Sequence, residues 1–164
     1  TPVDKDLQNE AQLISGRCYL AQEEWQKAKP FFTLVAKRTP SEMTAESKYS
    51  LALIEYEEGN YKESQKLIFE VQKQVPAYDF WIAKSFILLG DNYAALKDTF
   101  QARETYKSIV DNFEKAPNDP EDLKQVAQEK LTAMDAAQQS RNREMIEEKR
   151  RREPSDSLEV NPIK

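Results

Sequence analysis

Apolar residues recur three and four positions apart over most of the chain, the spacing that puts them on one face of a helix. Residues 51–71 show the pattern on both sides of a break. Leu51 and Ile54 precede Gly59-Asn60, and Ser64, Leu67, Ile68 and Val71 follow it. Gly tolerates the left-handed backbone at a helix end and Asn can cap the next helix, so the stretch predicts a helical hairpin with Tyr61 packing back onto its first helix. The same pattern recurs on either side. From the small residues Gly16, Ala52 and Gly90, twelve positions lead to Ala28, Ser64 and Ala102, and four more to Phe32, Ile68 and Tyr106. Three beyond those stand Val35, Val71 and Ile109, and five further Pro40, Pro76 and Glu114. Small residues let the two helices of a pair approach closely, large ones fill the space between pairs, and Pro ends the second helix. One such unit cannot bury its apolar face, whereas stacked units can.

At these residues the chain resembles the tetratricopeptide repeat, a helical hairpin of about 34 residues with small, aromatic and proline positions at fixed offsets. The resemblance implies an all-α solenoid with an array over residues 1–118 and three repeats at about 9–42, 45–78 and 83–116. Met43-Thr44 and Asp79 to Ile82 would lengthen the turns between repeats. Glu23 and Lys97 stand where Gly59 does, and Glu55 where Tyr19 and Tyr93 do. Residues 119–152 read as a capping and then protruding helix, with Asp119 as its cap and Pro120 as its first residue. Leu123, Val126, Ala127, Leu131, Met134 and Ala137 would lie on the third repeat. Beyond Ala137 the stripe gives way to charges such as Glu147 and Arg151, and residues 153–164 read as a disordered tail.

Composition narrows the function. The 164 residues carry a net charge of −5 and include no His and a single Cys. The acidic balance argues against binding nucleic acid or an anionic membrane surface, and no apolar run reaches the length of a membrane span. Without His the commonest general base is missing, and no disulfide or zinc cluster can form within the chain. Cys18 reads as a small, partly buried thiol, since no His is available to activate it. Glu23-Glu24 and Glu57-Glu58 read as solvated acids near turns, and Lys149 to Arg152 as a charged helix end. No phosphate loop, catalytic residue, metal site or cofactor is expected. A chain that starts with Thr1 in place of Met reads as a mature form or an excised piece.

In tetratricopeptide arrays the first helices line a concave groove. The resemblance places Leu13, Arg17, Leu20, Tyr49, Leu53, Tyr56, Ile87, Asp91 and Ala94 on it. The expected function is therefore a non-catalytic scaffold that holds a protein or peptide partner there. The alternative is a segment of a longer solenoid, or a self-associating homo-oligomer with the same residues buried. The Lys and Asn of the family's chaperone clamp are replaced by Leu13 and Arg17, so that activity does not carry over. Residues 81–113, above all Gly90 to Tyr93 and Asp98 to Ala102, are similar to tetratricopeptide proteins of Bacteroidota cell envelopes. These include lipoproteins similar to the outer-membrane assembly subunit and proteins of gliding and type IX secretion. That likeness implies a periplasmic, outer-membrane-associated protein, the alternative being the cytoplasm.

Overall fold

The structure, a computed structural model, describes residues 2–152; the tail expected at 153–164 lies outside them. Seven helices, and no strand, occur among the described residues: α1 Pro2–Ala21, α2 Trp25–Ala36, α3 Glu42–Glu57, α4 Tyr61–Gln72, α5 Asp79–Ala95, α6 Thr99–Asn112 and α7 Leu123–Arg152. They form three hairpins, α1/α2, α3/α4 and α5/α6. Each hairpin stacks on the next through its second helix, and α7 lies on α6 and α5 as α5 lies on α4 and α3. The chain is an α-solenoid closed by a long C-terminal helix.

Each hairpin turns in the same way. Glu23, Gly59 and Lys97 adopt left-handed φ of 58°, 79° and 64°. The following N–H of Glu24, Asn60 or Asp98 reaches back to the carbonyl of Tyr19, Glu55 or Tyr93 at 3.0, 2.8 and 2.9 Å. This backbone bond satisfies a carbonyl that the helix end would leave free. Asn60 does not cap α4 with its side chain as expected; its amide donates to Glu55 instead, at 2.9 Å. A residue with a Cβ is strained at positive φ. Replacing exposed Glu23 or Lys97 by Gly is thus expected to stabilise the fold by about 0.5–1 kcal/mol each, net of the extra entropy of an unfolded Gly. Thermal melting of the two variants checks this.

Met43-Thr44 and Asp79 to Ile82 extend helices rather than turns. Ser41 accepts from Thr44 N–H while Thr44 Oγ1 accepts from Ser41 N–H, a capping box that starts α3 early, and burial of Phe80 anchors the first turn of α5. Pro40 and Pro76 do not end α2 and α4 directly, standing four residues past Ala36 and Gln72, whereas Pro30 lies inside α2. The helix α7 begins at Leu123, not Pro120. Asp122 caps it by accepting from Gln125 N–H, and Asp119 closes the preceding turn on Ala116 N–H.

The large residues Phe32 and Tyr106 meet the small anchor of their own hairpin, not only the next pair. A Cβ on Gly16 would lie 2.9 Å from the Phe32 ring, and one on Gly90 would run into that of Tyr106. In the middle hairpin Ala52 and Ile68 are both fully buried and divide the same space more evenly. Between the second and third hairpins Asn92 is fully buried and donates to Ser64 Oγ at 3.0 Å, and it also donates to the Leu88 carbonyl of its own helix at 2.8 Å.

Glu55 is also buried, and Lys29 of the preceding hairpin pairs with it. Burial pushes its pKa up, but the hydrogen bonds from Lys29 and Asn60 together outweigh burial and hold the carboxyl below its usual range. A depressed folded value stabilises the fold above the unfolded value, about pH 4.3, and the gain disappears as pH falls through the folded one. Lys29→Met is expected to cost about 1 kcal/mol at pH 7, since Lys29 is a third exposed. The deficit should shrink below about pH 4, as urea titrations of both proteins at pH 7 and pH 3.5 will report.

Candidate functional site

The expected groove residues lie on the first helices of the hairpins, and most of them line one of two recesses. Tyr49, Leu53 and Tyr56 from α3 meet Ile87 and Asp91 from α5 in a recess of about 210 Å³. Leu13 and Arg17 of α1 line a second, of about 390 Å³, with Glu46, Phe80 and Trp81. Leu20 packs beside Leu13 against α2 and α3, and Ala94 is exposed beyond both recesses. The segment between α6 and α7 runs into the groove. Asn118, Asp119 and Pro120 wall the second recess, and Glu121, Leu123 and Val126 wall the first.

The groove residues differ in how far they are free. Leu13 and Ile87 are buried, and Tyr49, Leu53 and Tyr56 are half-buried. The Tyr49 ring lies 5.6 Å from Trp81, and Tyr56 lies 5.6 Å from Tyr61, the expected return of Tyr61 onto the first helix. Arg17 is held by both oxygens of Glu46, a fork that keeps its guanidinium charged. Asp91 accepts from Tyr106 Oη at 2.6 Å and from Lys130 Nζ at 2.7 Å. Each carries a charge into the groove that the fold already uses. Burial pushes the Tyr49 and Tyr106 hydroxyls well above the phenol range, with nearby Glu121 adding to the shift at Tyr49 and the bond to Asp91 at Tyr106. Both are therefore hydrogen-bond donors at neutral pH.

Sequence reasoning missed the centre of the site. Lys84 Nζ lies 5.6, 5.5 and 5.8 Å from the rings of Tyr49, Phe80 and Trp81 and pairs with Glu121 of the connecting segment. Its signal was available. Lys84 and Glu46 stand six residues before Gly90 and Ala52, one turn earlier than the first groove position considered. A further clue is Trp81, whose buried indole N–H has no acceptor although the residue lines the second recess. A larger hollow of about 560 Å³ opens away from the groove at the base of α5 and α6, between Ile82, Phe86, Ile109 and Phe113. In the middle hairpin the matching place is closed by Lys48 donating to Gln74 and Gln74 donating to the Ser41 carbonyl.

Cys18, expected to be partly buried, is exposed because no helix covers its side of α1. Glu24 pairs with Lys27, and Glu58 accepts from Gln26. No group of three or more His, Cys, Asp or Glu side chains that could hold a metal occurs among the described residues, and no described helix is long and apolar enough to cross a membrane.

The family model of the tetratricopeptide repeat matches residues 10–41 and 79–116, the first and third hairpins. Those two hairpins are similar to tetratricopeptide repeats. The middle hairpin lies between the matched stretches and has the same turn and the same small-to-large packing. A tetratricopeptide repeat is a non-catalytic module of protein interaction. No curated protein matches the chain.

Proposed function

We propose that the protein is a non-catalytic adaptor that holds a segment of a protein partner in the concave groove, at Tyr49, Leu53, Tyr56 and the Lys84 cluster. One observation carries the reading. Among the large apolar side chains of α3, Leu51 and Ile54 are buried, whereas Tyr49, Leu53 and Tyr56 stay partly exposed and line one recess. Half-buried aromatics on a rigid concave surface suit an extended or helical peptide, because they offer large contact area with little side-chain entropy to lose. The role in envelope assembly or secretion, at a periplasmic site next to the outer membrane, belongs to this proposal. It rests on the likeness of residues 81–113 to Bacteroidota envelope proteins.

The test is affinity capture from extracts of the source organism, with captured proteins identified by mass spectrometry. Replacing Tyr49 and Tyr56 by Ala also removes the ring contacts to Trp81 and Tyr61, so that variant is expected to melt earlier. Leu53→Gln is the cleaner probe. It should reduce partner capture at least tenfold while costing less than about 1.5 kcal/mol of stability, and undiminished capture would remove the groove from the proposal.

A further inference from the structure

The solenoid tests one surface against itself. From the anchors, Leu7, Ala11, Ile14 and Cys18 of α1 correspond to Met43, Ser47, Ser50 and Ile54 of α3 and to Trp81, Ser85, Leu88 and Asn92 of α5. On α3 and α5 this is the face that receives the preceding hairpin. Ser47, Ser50 and Ile54 are 0%, 3% and 0% exposed, and Ser85, Leu88 and Asn92 are 0%, 3% and 0%. Ile54 packs with Ala28 and Phe32 of α2, Leu88 with Ile68 of α4, and Asn92 donates to Ser64 of α4. On α1 the same face is open, with Leu7 59% and Ile14 49% exposed and Cys18 exposed beside them.

We infer that the Leu7, Ala11, Ile14 and Cys18 face of α1 is an interface that continues the solenoid, and that its occupant is the second helix of a further hairpin lying ahead of α1 in the same polypeptide. Two features choose this occupant. The face repeats, position for position, one that twice binds a second helix of the hairpin before it in chain order. In a second copy, the second helices of the three described hairpins are already taken, because α2, α4 and α6 carry α3, α5 and α7. The face is apolar where α3 and α5 carry Ser47, Ser50, Ser85 and Asn92, so its occupant should need no polar partner like Ser64. The interface is separate from the groove and stands or falls independently of the adaptor reading.

Cys18 reports on the interface directly. Its reaction with a disulfide reagent such as Ellman's is to be timed in residues 1–164 and in the natural polypeptide that carries whatever precedes Thr1. Labelling is expected to be fast in residues 1–164 and at least 30-fold slower in the longer polypeptide, with Ile14→Arg restoring the fast rate there. Equal rates, or a natural polypeptide that adds no hairpin ahead of α1, would overturn the inference. So would protection of Cys18 in residues 1–164 that grows with protein concentration and vanishes in Ile14→Arg, since that assigns the face to a second copy; sedimentation at the same concentrations reads this outcome separately.

Discussion

Gly90→Ala is expected to destabilise the protein by about 2–3 kcal/mol, although Ala favours a helix over Gly by about 1 kcal/mol. The new methyl would lie 2.7 Å from Cδ1 and 2.8 Å from Cζ of Tyr106, so the ring or the helix must move. The ring has little freedom to do so. Tyr106 is 2% exposed, and its hydroxyl is tied to Asp91, which also holds Lys130 of α7. Relief of the clash therefore loosens the attachment of the last helix, which joins a local overlap to a tertiary contact. Gly16→Ala should cost less, because the nearest approach to Phe32 is 2.9 Å and that ring has no hydrogen bond to lose. The middle hairpin suggests the compensating change, since Ala52 and Ile68 are both fully buried in one apolar cluster. In urea unfolding, Gly90→Ala with Tyr106→Ile should recover about 1–2 kcal/mol relative to the sum of the single changes. Plain additivity would show that the ring does not meet the methyl.

This pairing also shows what can be read from a sequence. The offsets from Gly16, Ala52 and Gly90 lead to residues that do lie opposite one another, because helical periodicity and close packing leave a small residue only one kind of neighbour. Helix ends were less legible. Ser41 and Thr44 start α3 through reciprocal bonds that lie outside the apolar period, and the Asp119-Pro120 pair looked like a helix start but forms the turn before one. At the groove, side-chain direction could be inferred from register while partners could not. Arg17 stands at a groove position, yet its Nε and Nη2 donate to the two oxygens of Glu46 on the next hairpin. Lys84 and Glu121 meet only because the segment after α6 turns into the concave side, a path set by tertiary packing of Leu123 rather than by any local signal.

Leu123 carries the second large prediction. It is 1% exposed in a cluster with Phe80, Ile87, Tyr106, Ile109 and Ala127, and it stands at the first residue of α7, where the helix meets the groove. Leu123→Ala is expected to cost about 3 kcal/mol, since the side chain leaves a cavity among neighbours held by two other helices. Removing residues 138–164 should cost less than about 0.5 kcal/mol, because the side chains of α7 from Asp135 to Arg152 are exposed and the surface ion pairs there, such as Arg151 with Glu147 at 3.8 Å, contribute little. The two changes separate the roles of one 30-residue helix. Its first three turns complete the core of the third hairpin and wall the recess, while about 27 Å of helix continues beyond the last packed residue. Hydrogen exchange should follow the same division, slow for residues 123–134 and fast beyond Ala137. A truncation that lowered stability by more than about 2 kcal/mol would mean that the projecting half packs on a surface not seen in a single chain, and sedimentation of the intact and shortened proteins would then locate it in an assembly of chains.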